Sequence, residues 1–166
     1  MPKSSKLFVA LAILTGAAVL TAPAFAVGGG DPQETASNPD YDEAVRAVNN
    51  KRYRDAIEFL ENVLDDDPAN ADALNYLGYS HRKLGDFSIA ITYYTRALKI
   101  DPDHRGANEY LGEAYLEIND LPNAVSRLER LRAICGWSCD EFTELNAAVE
   151  DYKANRKRNQ SSRRRW

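Results

Sequence analysis

Residues 71–104 read ADALNYLGYSHRKLGDFSIAITYYTRALKIDPDH, and this stretch decides the fold because its pattern returns 34 residues away on both sides. Leu77, Gly78, Asp86 and Ala90 recur as Leu111, Gly112, Asp120 and Ala124, while Phe87, Ala90 and Pro102 are anticipated by Tyr53, Ala56 and Pro68. Within the unit, Leu74, Leu77 and Leu84 fit one helix face, and Phe87, Ala90, Ile91, Tyr94, Ala97 and Leu98 fit another. Gly85-Asp86 separates the two. A helix pair of this size cannot bury its apolar face alone, so it must stack on its neighbours, and a stacked array has a concave surface suited to holding another molecule.

Working outward, helices are expected in pairs: about 40–50 with 53–65, 71–83 with 87–100, and 105–118 with 121–133. Asp86 and Asp120 are placed to cap the second helices, and Pro122 is tolerated in a first turn that needs no donor there. Asp67-Pro68 and Asp101-Pro102 close repeats, since proline disfavours a helical residue before it. After the third pair, Cys135-Gly136-Trp137-Ser138-Cys139 leads into a helix over about 139–154, with Phe142, Leu145, Val149 and Tyr152 on one stripe and Ser138 and Glu141 as a capping box. Residues 137–154 are therefore expected to cover the last apolar face of the array. The basic tail, residues 155–166, is expected to be disordered.

The spacing of a large residue at Leu74, Leu77-Gly78, Ala90, an aromatic at Tyr94, Ala97 and Pro102 resembles the tetratricopeptide repeat. His81 stands where that family usually has an aromatic; in the next copy Asn108 replaces the large residue and Gly136 the proline. The copies span about three fifths of the chain. The resemblance implies an all-α fold, with three helix pairs over residues 39–136 in a short right-handed solenoid and a C-terminal capping helix. It also implies that the first helices turn Tyr41, Val45, Asn75, Tyr79, Arg82, Glu109, Glu113 and Leu116 towards a partner-binding groove. Members that clamp a terminal carboxylate use lysine, arginine and asparagine there, and Glu109 with Glu113 departs from that chemistry. A tyrosine-lined, mixed-charge groove suits a peptide or helix carrying apolar anchors and some basic residues.

At the amino end, Lys3 and Lys6 precede an apolar run from Leu7 to Leu20, and Ala24-Phe25-Ala26 offers small residues at a signal-peptidase site. Residues 1–26 are read as a secretory signal and 27–38 as a flexible leader, which predicts a periplasmic or secreted protein. Export would put Cys135 and Cys139, the two cysteines, in an oxidising compartment where a disulfide across their short turn is expected. Thiol-redox or copper-handling chemistry at this pair is the alternative reading.

Charge excludes one class of ligand. Without Lys3 and Lys6 the chain has 19 bases against 25 acids, and residues 27–152 carry 12 bases against those 25. An acidic body lacks the clustered bases that release counterions from phosphates, so nucleic acid is not expected as a partner. The seven bases from Lys153 onwards predict weak contact with an anionic envelope surface. His81 and His104 have no companion at metal-ligand or triad spacing. Asp65-Asp66-Asp67 lacks the alternation of a calcium loop. With no phosphate loop, nucleophile elbow or catalytic carboxylate pair in view, the chain is read as a non-enzyme without cofactor or metal.

Overall fold

The computed structural model describes residues 38–163, with side chains to Ser161, and the expected signal and most of the leader lie outside the described residues. Its elements are α1 (Pro39–Asn49), α2 (Tyr53–Asp66), α3 (Ala71–Leu84), α4 (Phe87–Ile100), α5 (Arg105–Glu117), α6 (Leu121–Cys135) and α7 (Asp140–Arg163). Among the described residues there is no strand. Asn38, assigned above to the leader, is the cap of α1: its side chain accepts from Asp40 N at 2.9 Å.

The 34-residue period governs backbone geometry as well as sequence. Lys51, Gly85 and Asn119 occupy the same slot in successive pairs, and each has a left-handed φ, at 58°, 90° and 64°. Each turn closes the same way: the N–H of Gly85 donates to Arg82 O and that of Asp86 to His81 O, with equivalent bonds at Lys51-Arg52 and Asn119-Asp120. These bonds satisfy the last carbonyls of each first helix while reversing the chain. The repeat ends are built alike. Asp67 accepts from Ala69 N at 3.2 Å, and Asp101 from Asp103 N at 3.0 Å. Asn70 then caps α3, and His104 caps α5 by accepting from Ala107 N through Nδ1 at 3.1 Å.

Two capping expectations are corrected. Asp86 makes no side-chain bond to the start of α4; its carboxylate lies 3.5 Å from His81 Nδ1 instead. The Ser138–Glu141 box does not form either, because the Ser138 hydroxyl donates back to Cys135 O and Glu141 pairs with Arg105.

Small residues set the approach of helices. A Cβ on Gly78 would lie 2.6 Å from the Tyr94 ring, and Tyr94 is fully buried. At Gly112 the intruder is Leu145 of α7, at 2.5 Å. Leu128 occupies the slot of Tyr94 one repeat on, and α7 brings Leu145 in against Gly112. Phe142, Leu145 and Val149 follow Asn108, Leu111 and Tyr115 by 34, so α7 packs as the first helix of a fourth pair, against both α5 and α6. Asn108, where the pattern expects a large apolar residue, is fully buried. Its amide donates to Pro102 O and His104 O, and its oxygen accepts from Arg127. His81 makes good its own departure by stacking on Tyr93, with ring centroids 5.5 Å apart.

The disorder expected over residues 155–166 is corrected as far as Arg163, since α7 continues as helix to that residue, and 164–166 lie outside the described residues. Lys153 pairs with Glu150, and Arg156 lies over the Tyr152 ring and donates to its hydroxyl. These contacts one turn apart favour helix over coil. Cys135 and Cys139 bracket the turn before α7 with Cα atoms 5.9 Å apart and sulfurs at bonding distance. They occupy the slots of Asp101 and Arg105, where the earlier repeat closes with an Asp-Pro turn.

Candidate functional site: the inward face of the first helices

Curvature follows from which helices meet. The backbones of α1 and α3, α3 and α5, and α5 and α7 approach closely, whereas those of α2, α4 and α6 do not approach one another. The first helices are thus on the inside of the bend and present a shared face. On it lie the rings of Tyr41, Tyr76, Tyr79 and Tyr110, with Tyr53 of α2 beside them: Tyr41 meets Tyr76 edge-on at 5.9 Å, and Tyr79 meets Tyr53 at 6.2 Å and Tyr110 at 5.1 Å. All five are partly buried. Burial first, then nearby carboxylates, push the phenols of Tyr41, Tyr76 and Tyr110 up, so these hydroxyls stay neutral donors.

The charges on this face are held by the same helices. Arg82 of α3 donates to Glu113 of α5 at 2.6 Å, and its guanidinium lies 5.6 Å from the centroids of both Tyr79 and Tyr110. Burial is the largest influence and works against the Arg82 charge, but Glu113, Tyr94 and Tyr79 together outweigh it and its pKa is raised. Lys83 Nζ lies 5.0 Å from the centroid of the same Tyr79 ring. Such cation–π contacts fix both the ring and the charge.

The structure gathers Asn75, Tyr79, Arg82, Glu109 and Glu113 on α3 and α5, with Tyr41 on α1, but it does not leave them all open. Asn75, Arg82 and Glu109 are buried, and Asn75 Oδ1, Arg82 Nε and Glu109 Oε1 have no hydrogen-bond partner. Gly106 explains part of this: a Cβ there would lie 3.3 Å from Asn75 Nδ2, so α3 and α5 run close at this point. For Glu109 the cover is α7. Burial, followed by a hydrogen bond with Glu144 and the charges of Glu113, Glu144 and Glu141, raises its pKa to about 8. A carboxyl in this surround holds its proton at neutral pH.

Sequence reading missed Tyr76 and Tyr110, although the two stand 34 residues apart directly before Leu77 and Leu111; that periodic signal was available. It also missed Glu144, Asp151 and Tyr152, which reach the face only because α7 docks as a fourth first helix. Between α3, α5 and α7 lies a cavity of about 280 Å³, walled by Arg82, Glu113, Leu116, Glu117, Ala148 and Asp151 among others. Among the described residues, no group of three or more His, Cys, Asp or Glu side chains is arranged to hold a metal ion.

An array of paired helices whose first members wall a common face is an α-helical repeat protein with an inward groove. Its repeats have a family. Profiles of the tetratricopeptide repeat match residues 71–104 and residues 41–87, so this part of the chain is built of tetratricopeptide repeats. No curated protein matches the sequence. Solved structures that are similar include the first tetratricopeptide domain of Spaghetti (RPAP3) bound to an HSP90 peptide, at 18% identity and a TM-score of 0.63, covering 69% of this chain and 90% of that one. The Yersinia enterocolitica type III secretion chaperone SycD, in complex with a peptide of the translocator YopD, is 20% identical with a TM-score of 0.63, over 74% of this chain and 98% of the other. The second such domain of human RPAP3, in complex with an HSP70 peptide, is 18% identical with a TM-score of 0.62, over 69% and 92%. At these identities the likeness is one of fold.

Proposed function

We propose that this protein is a non-catalytic adaptor or assembly factor that binds a segment of another protein along the inward face of α1, α3 and α5. The observation that carries the reading is the run of partly buried tyrosines across three successive first helices, braced by Arg82 and Lys83. Tyrosine offers a large contact area at little cost in side-chain entropy, and a rigidly held row is preorganised for an extended or helical segment. The similar structures with peptides bound support a protein or peptide partner. The amino-terminal pattern supports export to the periplasm of a bacterial-type envelope or beyond. In that compartment the Cys135–Cys139 pair is oxidised and staples the turn before α7, in the slot where other repeats use Asp-Pro. The basic end of α7 adds attraction to anionic envelope surface.

The test of the central reading is purification of the full chain from its own cells after crosslinking, compared with its Tyr79→Ala variant. A partner recovered with the parent and diminished about thirtyfold in affinity for the variant supports the groove. A partner held equally by both places binding elsewhere on the molecule.

A further inference from the structure

The inward face and the basic end of α7 are complementary surfaces of one chain. The four first helices, counting α7 as far as Tyr152, carry twelve acids against four bases. Three of those bases are paired with acids of the same helices, Arg46 with Glu43, Arg82 with Glu113 and Arg105 with Glu141, and the fourth, Lys83, lies over Tyr79. Asp72 is near enough to act on the phenols of Tyr41 and Tyr76, and Glu113 and Glu144 on that of Tyr110, so the surplus of negative charge falls on the tyrosine row itself. The rings of that row already accept cations, since Arg82 and Lys83 lie over them. The basic end is the converse. From Lys153 onwards there are seven bases and no acid, and Trp166 is the one aromatic. Residues 154–161 are helical yet exposed throughout, and the polar contacts of Lys153, Arg156 and Arg158 are with Glu150, Tyr152 and Asn155 of α7 itself. A short stretch of helix exposed on every side draws little stability from its own hydrogen bonds and has its whole surface to give to a partner.

We propose that the basic end of α7 from a second copy of this chain lies in the tyrosine groove, its lysines and arginines against the ring faces and the carboxylates around them, with Trp166 as an aromatic anchor. The inference rests on the groove reading and names one occupant of that groove. The chain's own groove is out of reach, because the extension runs on as a single helix from α7, which is itself the last of the inward helices. Residues 153–163 make about 16 Å of helix, enough to cross two first helices packed about 8–10 Å apart. Arginine and lysine over tyrosine faces combine cation–π attraction with packing of their methylene stems, and opposite charges on the two surfaces speed and orient the encounter. Self-association and partner binding then exclude one another, since both use Tyr79.

The test is sedimentation of the full chain over a range of concentrations, alongside Tyr79→Ala, the double variant Lys157→Glu, Arg158→Glu, and an equimolar mixture of the two. The parent is expected to self-associate at low salt and to lose about tenfold or more in affinity at high salt. Each variant alone should associate about tenfold more weakly than the parent, whereas the mixture should recover association, because the double variant still offers a groove and Tyr79→Ala still offers a basic end. A labelled peptide of residues 153–166 should bind the double variant saturably, which reads the groove without relying on the fold of Tyr79→Ala. Lys157 and Arg158 are exposed, so thermal melts of the double variant should match the parent. A parent that stays monomeric at low salt while a crosslinked partner still depends on Tyr79 overturns the inference and leaves the groove standing. Association that survives Tyr79→Ala, or survives the double variant, places the contact on other surfaces and overturns it. A monomeric parent that binds anionic vesicles through Lys157 and Arg158 gives the basic end to a membrane alone and overturns it too.

Discussion

Replacing Glu109 by glutamine tests whether α7 is seated on a protonated carboxyl. Glu109 is 3% exposed on α5, and its surroundings are acidic: Glu113 on its own helix, Glu144 and Glu141 on α7. Arg82 of α3 is engaged with Glu113, and Arg105 with Glu141. The folded chain keeps the Glu109 proton up to a pKa of about 8, whereas the unfolded chain releases it near the ordinary 4.5. The folded state therefore binds more protons between these values. The contribution is fully present below the unfolded pKa, falls as pH rises through the interval, and is lost above the folded pKa. One proton held over the span from about pH 5.5 to pH 7 corresponds to about 2 kcal/mol, and solvent screening along the groove edge lowers the expectation to about 1 kcal/mol. Glutamine stays neutral throughout. Denaturant melts at the two pH values should show the parent losing about 1 kcal/mol more than Glu109→Gln on going to the higher pH, or roughly 4 °C in Tm. Stability curves that run parallel across the span would refute a protonated Glu109 and with it this account of the α5–α7 seam.

Lys51→Gly should raise stability by about 0.5–1 kcal/mol, because Lys51 holds a left-handed φ that glycine adopts freely; Asn119→Gly should gain less, since Asn119 Oδ1 accepts from the Tyr152 hydroxyl. Tyr79→Ala should weaken the partner about thirtyfold and also cost the fold about 1–2 kcal/mol, as the ring contacts Tyr53 and Tyr110; partner titration and thermal melting read the two effects separately. Deleting residues 155–166 should shift Tm by less than about 2 °C while abolishing salt-sensitive binding to anionic lipid vesicles; a larger loss of Tm would mean the α7 extension packs. In protein isolated from its own compartment, Cys135 and Cys139 should resist alkylation until reduced, and reduction should cost about 2 kcal/mol or less because the loop is short; two freely alkylated thiols would contradict export into an oxidising space.

The repeat was legible because sequence and backbone share one period. The apolar stripes, the Asp-Pro turns and the small residues at Gly78 and Ala90 each state a local requirement that neighbours restate 34 residues on. What was not legible came from helices meeting at the end of the array. Residues 139–149 carry the stripe of another first helix, but the cysteine turn hides the repeat boundary, so the segment reads as a generic cap. Once α7 takes the place of a first helix, it buries Glu109 and brings Asp151 and Tyr152 onto the inward face. Tyr79 shows a different limit. Helical periodicity turns it away from the Leu74 and Leu77 stripe, yet rings from α2 and α5 close around it. The extension past residue 154 was read from its charge alone, whereas contacts of Lys153 with Glu150 and Arg156 with Tyr152 carry the helix onward.

The most direct measurement of the groove is site-specific photo-crosslinking in the protein's own cells, with a photoreactive phenylalanine analogue at position 79 on the inward face and, separately, at position 89 on the outer face of α4. Ile89 is 44% exposed and so offers an accessible control. The account predicts a discrete crosslinked partner from position 79 and none from position 89. A partner captured only from position 89 would contradict it.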